Sequence, residues 1–287
     1  MDGPQVKALA HRLSVAVWGH RVDRIDVPVD RWQANVLLKH CAGHHVLRIY
    51  SHGCWLIWNF EHGVSWLCYP VRRWSWEILK VGGAFIREPM VWAADPTGVA
   101  ARPRRRPLIR SQLDDGREIV LSGRPLFLTL LTPDLWRHPH LADLGPDPLA
   151  QELSVADWRF RLRLSEKPTI ARALLDQRVL AGIGNPWKCV ILYATGVHPA
   201  TRAIALNSRQ IQQLAAAAQI CLTRAYQHYL GDVQEGRLCA VYDRAGEPCP
   251  TCGTAITVDR CGRDGHWTWY CPKCQCPDSQ ALLFDTW

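Results

Sequence analysis

The fold is decided by the stretch Leu174-Leu175-Asp176-Gln177-Arg178-Val179-Leu180-Ala181-Gly182-Ile183-Gly184-Asn185, which starts on an apolar helical face and ends on two closely spaced glycines. Asn185 and Pro186 predict the start of a second helix, with Asn185 as the N-cap and the proline at the first helical position. A glycine turn that leads into a helix directs backbone N–H groups toward one point and is a ready anion site. Taken alone, the stretch also fits plain helix-turn geometry.

The sequence on both sides of this turn is helical. Apolar residues recur at helical spacing around it, and a longer helix is predicted from about Ser208 to Tyr229. Proline and glycine interrupt residues 138–148, which places the linker between two lobes there. The sequence therefore predicts an α-helical C-terminal lobe that carries a cysteine-rich tail.

The first half of the chain has a different pattern. After Gly3-Pro4, an amphipathic helix is predicted from the spacing of its apolar residues Val6, Leu9, Ala10, Leu13 and Val17. From about Trp18 to Pro133, short runs rich in valine, isoleucine and tryptophan alternate with turn residues, which indicates an all-β lobe. The basic stretch from Arg102 to Pro107 is predicted to be a solvated loop.

Two cysteine pairs near the C-terminus carry the strongest local signal. Cys249 and Cys252 form one C-x-x-C pair, Cys271 and Cys274 form a second, and the spacing is that of a tetrahedral zinc site. Four thiolates leave no position for an activated water, so the predicted Zn²⁺ is a single structural ion. Between the pairs a β-hairpin is predicted, whose basic and aromatic residues suit either phosphate contact or plain solvation.

Composition narrows the class of protein. The chain has 287 residues and a formal net charge of +8, with 48% hydrophobic and 21% charged residues. This balance is typical of a folded soluble protein, and the positive charge suits a polyanion partner as well as plain solubility. No apolar run is long enough to cross a bilayer and no signal segment opens the chain, so a cytoplasmic location without membrane contact is expected.

Four segments of the sequence match one known pattern. They are the stretch 174–185 followed by Gly196-Val197-His198-Pro199, the segment 242–248 that leads into the four cysteines and ends at Gln275, the segment 144–149, and the opening Asp2-Gly3-Pro4-Gln5-Val6. Together they resemble the formamidopyrimidine-DNA glycosylase and endonuclease VIII family, most closely over the last ~130 residues. The resemblance implies a helix-two-turns-helix and a zinc-finger hairpin that hold duplex DNA.

The resemblance gives a fold class and a division into domains. It implies an α+β protein with an N-terminal helix, an antiparallel β-sandwich lobe, a C-terminal helical lobe and a four-cysteine zinc-finger β-hairpin. The expected domains are 1–135 for the helix and β-sandwich, 136–235 for the helix-two-turns-helix domain, and 236–287 for the zinc finger and tail.

The resemblance also implies a reaction centre at the N-terminus. In the family, the exposed N-terminal amine of a proline attacks C1′ of a damaged nucleoside, and the next carboxylate moves protons after the base has been flipped out. Here Met1 stands in place of the proline, and Asp2 stands in place of a glutamate. The catalytic residues are therefore predicted to be Met1, as a primary amine, and Asp2.

Several DNA-contact positions depart from the family pattern. His44 precedes the strand where a phosphate-binding lysine is expected, and Phe60 or His62 stands where a methionine fills the space left by a flipped base. We predict His44 and His62 as DNA-binding residues. Asn185 carries over as a phosphate ligand, although Pro186-Trp187-Lys188 follows it in place of the usual residues.

The finger offers two positions for the family's arginine. His266 corresponds by its distance from Cys271, and Arg263 corresponds if the hairpin is extended. We predict Arg263 as the DNA-binding residue of the finger.

The functional hypothesis is a monomeric DNA repair glycosylase, nucleoid-associated in a bacterium, that binds damaged duplex DNA, flips out a modified base and excises it, with strand cleavage by AP-lyase chemistry left open. The alternative is a catalytically altered protein that binds damaged DNA without excising a base. A zinc-stabilised RNA binder is a third hypothesis, which competition between duplex DNA and structured RNA at fixed salt would separate from the other two.

Overall fold

The computed structural model describes residues 2–27, 36–80, 88–91, 107–231, 239–260 and 266–276. The chain divides by its contacts into two compact units. The first unit contains Leu9–Ala142, and the second contains Asp2–Ala8 together with Asp143–Trp287. The start of the chain thus packs with its second half.

The first helix, α1, spans Gly3–Val17. The apolar side chains that predicted it, Val6, Leu9, Ala10, Leu13 and Val17, are all buried. The helix stops before Gly19, whose φ of 77° lies in the left-handed region that favours glycine. The predicted opening helix is therefore confirmed, and its first residues belong to one unit while the rest belong to the other.

The first unit is built on one antiparallel sheet of seven strands, in the order β3-β2-β1-β6-β7-β4-β5. The strands are β1 (Arg21–Asp26), β2 (His44–His52), β3 (Trp55–Phe60), β4 (Val64–Lys80), β5 (Glu88–Val91), β6 (Pro107–Leu113) and β7 (Arg117–Leu131). Strand β4 also pairs with β3, from Leu56 opposite Cys68 to Asn59 opposite Ser65. Strand β4 lies near one end of this order and pairs with β3 at the other end, so the sheet folds over onto itself as a sandwich.

Tryptophan rings fill the interior of this sandwich. Trp58 stacks on Trp76 with ring centroids 5.0 Å apart and contacts Trp66 at 5.5 Å, and Phe60 contacts Trp66 at 4.7 Å. All four rings are at most 1% exposed. Offset aromatic contacts add to the large area that these rings bury, so truncation of any one to alanine should cost about 3–5 kcal/mol.

The second unit is mainly helical. Besides its part of α1, the first unit holds two short helices, α2 (Val36–His40) and α3 (Pro139–Ala142). The helices of the second unit beyond the start of α1 are α4 (Val155–Leu164), α5 (Ile170–Leu175), α6 (Asn185–Ala194) and α7 (Ser208–Leu230). Asn207 caps α7 in a capping box with Gln210, and the helix ends at Gly231 with φ of 90°. A continuous apolar core joins α4, α5, α6 and α7.

The C-terminal segment forms the predicted hairpin. Strands β8 (Thr257–Arg260) and β9 (Trp267–Tyr270) pair antiparallel, with Thr257 opposite Tyr270. The hairpin packs beside α6, and Tyr193 of that helix is buried in a small cluster with Val241 and Ile256.

The α+β class with its β-sandwich, helical unit and finger hairpin is confirmed. Two details of the prediction were wrong. The N-cap of α6 is Gly184, which has no side chain to cap the helix. Asn185 is the first residue of the helix, and its Nδ2 donates to the carbonyl oxygen of Trp267. The region from Trp18 to Pro133 is not all β, since it contains α2. Of the described helices, none combines the length and the apolar character needed to cross a membrane.

Candidate active site

The two glycines of the decisive stretch hold the start of α1. The backbone N–H of Gly3 donates to the carbonyl oxygen of Gly182 at 2.8 Å. A Cβ on Gly3 would lie 2.8 Å from the Cα of Gly182, and a Cβ on Gly184 would lie 2.5 Å from the Cβ of Asp2. Real Cβ atoms do not approach this closely, so both contacts need glycine.

Gln177 holds this glycine turn in shape. Its Oε1 accepts from the backbone N–H of Gly182 at 2.8 Å, and its Nε2 donates to the carbonyl oxygen of Ile183 at 3.2 Å. The same Nε2 donates to the carbonyl oxygen of Leu175, the last residue of α5. One side chain therefore satisfies backbone groups on both sides of the turn.

Asp2 lies against this turn and is buried, with 4% of its surface exposed. Its backbone N–H donates to Oε1 of Gln5 at 3.3 Å, whereas its Oδ1 makes no hydrogen bond to any described residue. Burial raises the pKa of Asp2 to about 6, and the charge of the N-terminus and the Trp187 side chain offset this in part.

A carboxyl group with this pKa can both give and take a proton near neutral pH. Burial that shifts a carboxyl toward neutrality is also how general acids and bases are tuned in enzymes. The predicted Asp2 is therefore placed in an environment that suits proton transfer.

Beside Asp2, the start of α6 is joined to the finger hairpin by Lys188. This residue is 1% exposed. Its Nζ donates to Oδ1 of Asn185 at 2.6 Å and to Oγ1 of Thr268 at 2.7 Å. Nδ2 of Asn185 donates to the carbonyl oxygen of Trp267 at 3.1 Å. The predicted phosphate ligand Asn185 is thus one part of a network that links α6 to β9.

The four predicted cysteines lie together. The Sγ atoms of Cys249, Cys252, Cys271 and Cys274 all lie within 4.8 Å of one another. Cys249 and Cys274 are 3.9 Å apart and Cys252 and Cys271 are 3.5 Å apart, close to the roughly 3.8 Å that a tetrahedral site with Zn–S bonds of about 2.3 Å requires. The cluster therefore has the shape of a closed metal site.

Groups around the cysteines hold them in place. The backbone N–H of Cys271 donates to Oε1 of Gln275 at 2.9 Å, and Nε2 of Gln275 donates to the carbonyl oxygen of Val197 at 3.1 Å. The hydroxyl of Tyr193 lies 3.3 Å from Sγ of Cys249. Supporting hydrogen bonds of this kind orient metal ligands.

Among the described residues, Cys276 lies outside this cluster. Cys261, which lies between the two cysteine pairs in the sequence, is outside the described residues.

The two predicted histidines lie together in the first unit. Their rings stack at 3.9 Å with an interplanar angle of 15°. Nδ1 of His44 lies 3.2 Å from Oε1 of Glu61, and Nδ1 of His45 lies 3.0 Å from Oε2 of the same carboxylate. Both ring nitrogens of His62 are buried without a hydrogen-bond partner in the described part of the chain. Burial and the charges of His44 and His40 lower the pKa of His62.

The structure thus brings Asp2 and Asn185 to the same glycine turn and places His44 beside His62. Met1 and Arg263 lie outside the described residues, as does most of the basic stretch from Arg102 to Pro107. The sequence did not assign roles to Trp187 or Lys188. Their position within an apolar helix gave no signal, because the contacts that define them come from α1 and β9.

The comparisons with known proteins agree with this geometry. The family model of the formamidopyrimidine-DNA glycosylase H2TH domain matches residues 144–234. A formamidopyrimidine-DNA glycosylase of Geotalea uraniireducens is 37% identical over 186 residues, which cover 60% of this chain and 68% of that protein. One from Gluconobacter oxydans is 28% identical over 289 residues, covering 95% of this chain and 98% of the relative.

Solved structures show the same fold. A Lactococcus lactis formamidopyrimidine-DNA glycosylase bound noncovalently to DNA with an AP site matches with a TM-score of 0.78 at 20% identity, over 96% of this chain and 100% of that one. A complex of the Lactococcus lactis protein with DNA containing N7-benzyl-Fapy-dG matches with a TM-score of 0.78 at 19% identity, over the same shares of the two chains.

A β-sandwich, a glycine turn that holds the start of α1, and a four-cysteine hairpin define a protein of the helix-two-turns-helix class. The chain belongs to the formamidopyrimidine-DNA glycosylase and endonuclease VIII family.

Proposed function

We propose that this protein is a base-excision DNA glycosylase that binds damaged duplex DNA and cleaves the bond between a modified base and C1′ of its sugar. Curated relatives bear the name of that activity, and related structures hold DNA with an abasic site or a modified base. The observation that carries the proposal is the buried carboxyl of Asp2, held against the glycine turn with a pKa of about 6.

Asp2 has the role of general base at the first step. Above about pH 6 it is ionised and can take a proton from the group that attacks C1′, and the protonated carboxyl can then return that proton to the departing base. The attacking group is either the α-amine of Met1 or a water molecule. An amine attack gives a Schiff base and permits strand cleavage, whereas water attack gives base release alone.

The remaining predicted site residues bind the DNA. Asn185 contacts a backbone phosphate, and Arg263 contacts the minor groove or a phosphate. His44 takes the phosphate contact of the missing lysine, and His62 fills the space that a flipped base leaves. One protein chain acts on one lesion. A single chain per duplex in sedimentation analysis is the expected stoichiometry.

The four-cysteine cluster holds one structural Zn²⁺. Sulfur spacing near that of a tetrahedral site and the hydrogen bonds of Gln275 support this assignment. The ion would supply rigidity to the hairpin and no reaction chemistry, because its four positions are filled by thiolates.

The rival function is a protein that binds damaged DNA without excising a base. One contact favours it. Glu61 lies within 3.2 Å of the ring nitrogens of both His44 and His45, and a carboxylate at this point opposes a phosphate. His44 therefore replaces the family's lysine only in part.

A single-turnover assay on duplexes that carry a formamidopyrimidine lesion separates the two functions. Fluorescence anisotropy on the same duplex gives the dissociation constant, and chromatography gives the free base. Tight binding with base release that falls by at least about 100-fold in Asp2→Asn supports the glycosylase. Tight binding with intact lesion after long incubation would establish the rival.

The attacking group is identified by borohydride trapping on a duplex with an abasic site, followed by mass spectrometry of the adduct. A covalent adduct at Met1 assigns attack to the α-amine. Base release without any adduct assigns attack to water.

A further inference from the structure

A cluster of histidines in the first unit contains one carboxylate. We call it the histidine cluster, and its members are His40, His44, His45, Glu61 and His62. His40 ends α2, His44 and His45 open β2, and Glu61 and His62 lie in the turn between β3 and β4. Imidazole side chains gain and lose a proton near neutral pH, so the cluster can change its charge in that range.

The elements packed around the cluster also carry charged groups, which are paired with one another or exposed. Strand β1 pairs with β2, and the backbone N–H of Thr132 donates to the carbonyl oxygen of Gly63 at 2.8 Å. Glu61 is the carboxylate that the histidines themselves contact. The surrounding charged groups are Arg21, paired with Asp23 at 2.7 Å, Asp134, paired with Arg137 at 3.7 Å, and the exposed Lys39 of α2.

Glu61 fixes which nitrogen of each neighbouring ring carries a hydrogen. Its Oε1 lies 3.2 Å from Nδ1 of His44, and its Oε2 lies 3.0 Å from Nδ1 of His45. The hydrogen bond from His44, with a smaller contribution from His45, lowers the pKa of Glu61. The carboxyl is therefore ionised at neutral pH and can only accept, so each ring places a hydrogen on Nδ1.

This tautomer decides when His44 can hold a phosphate. A neutral imidazole with its hydrogen on Nδ1 has a lone pair on Nε2, and that nitrogen accepts hydrogen bonds but donates none. A phosphate oxygen is also an acceptor, so the neutral ring of His44 offers it no donor at Nε2. Protonation of Nε2 supplies both a donor and a positive charge.

The ring stacked on His44 does not share this charge. The centroids of His44 and His62 are 3.9 Å apart, and both nitrogens of His62 are buried without a hydrogen-bond partner among the described residues. Burial and the charges of His44 and His40 lower the pKa of His62. Two charged rings at this distance would repel each other, so His62 stays neutral while His44, bonded to Glu61, takes the proton.

We propose that His44 is a proton-dependent phosphate contact, so that duplex DNA binds with uptake of a proton and the affinity rises as the pH falls. The proposal rests on the proposed function, which supplies the DNA phosphate. Because the protonated form binds more tightly, linkage requires the dissociation constant to fall as protons are added. The family's lysine keeps its charge over this range, so the exchange of lysine for histidine makes the contact pH-dependent.

Fluorescence anisotropy on an undamaged duplex at constant salt tests the proposal. From about pH 6 to about pH 8 the wild-type Kd should rise about tenfold, the size of one charge-assisted hydrogen bond. His44→Lys should bind at both pH values as the wild type does at about pH 6, and His44→Gln as the wild type does at about pH 8. His11→Gln is the matched control, because His11 is an exposed histidine on α1 outside the cluster, and it should keep the wild-type dependence.

Proton uptake is measured directly by isothermal titration calorimetry in two buffers of different ionisation enthalpy. At about pH 7 the wild type should take up a fraction of one proton per duplex that His44→Lys does not take up. A Kd equally dependent on pH in the wild type and in His44→Lys would overturn the proposal. So would a dependence that disappears in His45→Gln and persists in His44→Gln. His44→Lys keeps a cation beside Glu61, so it decides the matter if His44→Gln fails to fold.

The result is independent of base excision, since the duplex carries no lesion. A proton-dependent Kd that requires His44, in a protein that releases no base, would leave the contact in place and remove the glycosylase function. Base release by a protein whose Kd does not change with pH would remove the contact and leave the glycosylase function.

Discussion

Ionisation of the Asp2 carboxyl has opposite effects on its proposed chemistry and on the stability of the fold. Its folded-state pKa is raised to about 6, from an ordinary value of 3.8. A group whose pKa is raised on folding stabilises the protein fully below its unfolded pKa, and this contribution is lost as the pH rises through the folded pKa. The ionised carboxylate that can act as a base is thus the form that destabilises the fold.

We therefore expect the free energy of unfolding of the wild type to fall by about 2.4 kcal/mol, relative to Asp2→Asn, between about pH 4 and about pH 7. Denaturant titrations at the two pH values measure this difference. Asp157→Asn is the control, since bonds from Ser154 lower the pKa of Asp157 and give a dependence of the opposite sign. An Asp2→Asn difference that does not change with pH would show that the carboxyl is not buried as described.

Gly184 tests how closely Asp2 must be held. Its φ of −93° is open to any residue, so Gly184→Ala introduces a steric conflict with Asp2 and no backbone strain. A displacement of about 1 Å should slow base release about 100-fold, while duplex binding changes little. Single-turnover kinetics and anisotropy on the same preparation measure both quantities.

Gly116→Ala is the matched control for this variant. Gly116 has a φ of 82° and nothing within 4 Å of its missing Cβ, so the substitution strains the backbone in a turn of the first unit without a steric conflict. It should cost about 1 kcal/mol of stability and leave the rate of base release unchanged. Equal loss of rate in both variants would mean that Gly184→Ala acts only through stability.

The sequence predicted Asp2 but not its surroundings. The opening Asp-Gly-Pro segment carries the resemblance, whereas the burial of Asp2 depends on Trp187 and Gly184, which are about 180 positions away along the chain. Lys188 was missed for the same reason. Its contact with Thr268 is established only by the packing of α6 on β9, which the sequence does not show.

At the scale of elements, the finger hairpin depends on its four cysteines. Cys252→Ala should remove the bound zinc, disorder the hairpin and weaken duplex binding about tenfold or more, because structural zinc contributes its binding energy to folding. Metal content by inductively coupled plasma mass spectrometry should fall from one ion per chain to none.

Cys276→Ala is the control for this experiment, since Cys276 follows the second cysteine pair in the sequence but lies outside the cluster. It should keep one zinc per chain and full binding. Zinc retained by Cys252→Ala and lost by Cys276→Ala would show that the ligand set includes Cys276.

The elements that could be predicted were those whose structure depends on residues close together in the sequence. The cysteine spacing predicted the cluster because metal geometry fixes short distances, and the apolar stripe predicted α7 from Ser208 to within one residue of its end at Leu230. The strand pairing of β4 with both β3 and β7 was not predicted, because register depends on partners distant in sequence. The short helix α2 was missed within a region that reads as strand.

At the scale of the molecule, the chain places its start in one unit and the rest of its first helix in the other. Asp2, which we propose as the proton-transfer residue, therefore belongs to the helical unit that also holds Asn185, Lys188 and the finger. The first unit holds the predicted DNA contacts His44 and His62 and, among the described residues, most of the buried tryptophans.

The central claim, that Asp2 acts as a base in excision, is tested most directly by the single-turnover rate of base release as a function of pH. The rate should rise about tenfold per pH unit below about pH 6 and level off above it, and this rise should be absent in Asp2→Asn and intact in Asp157→Asn. A wild type that releases base at a rate independent of pH, or an Asp2→Asn protein as fast as the wild type, would contradict the account.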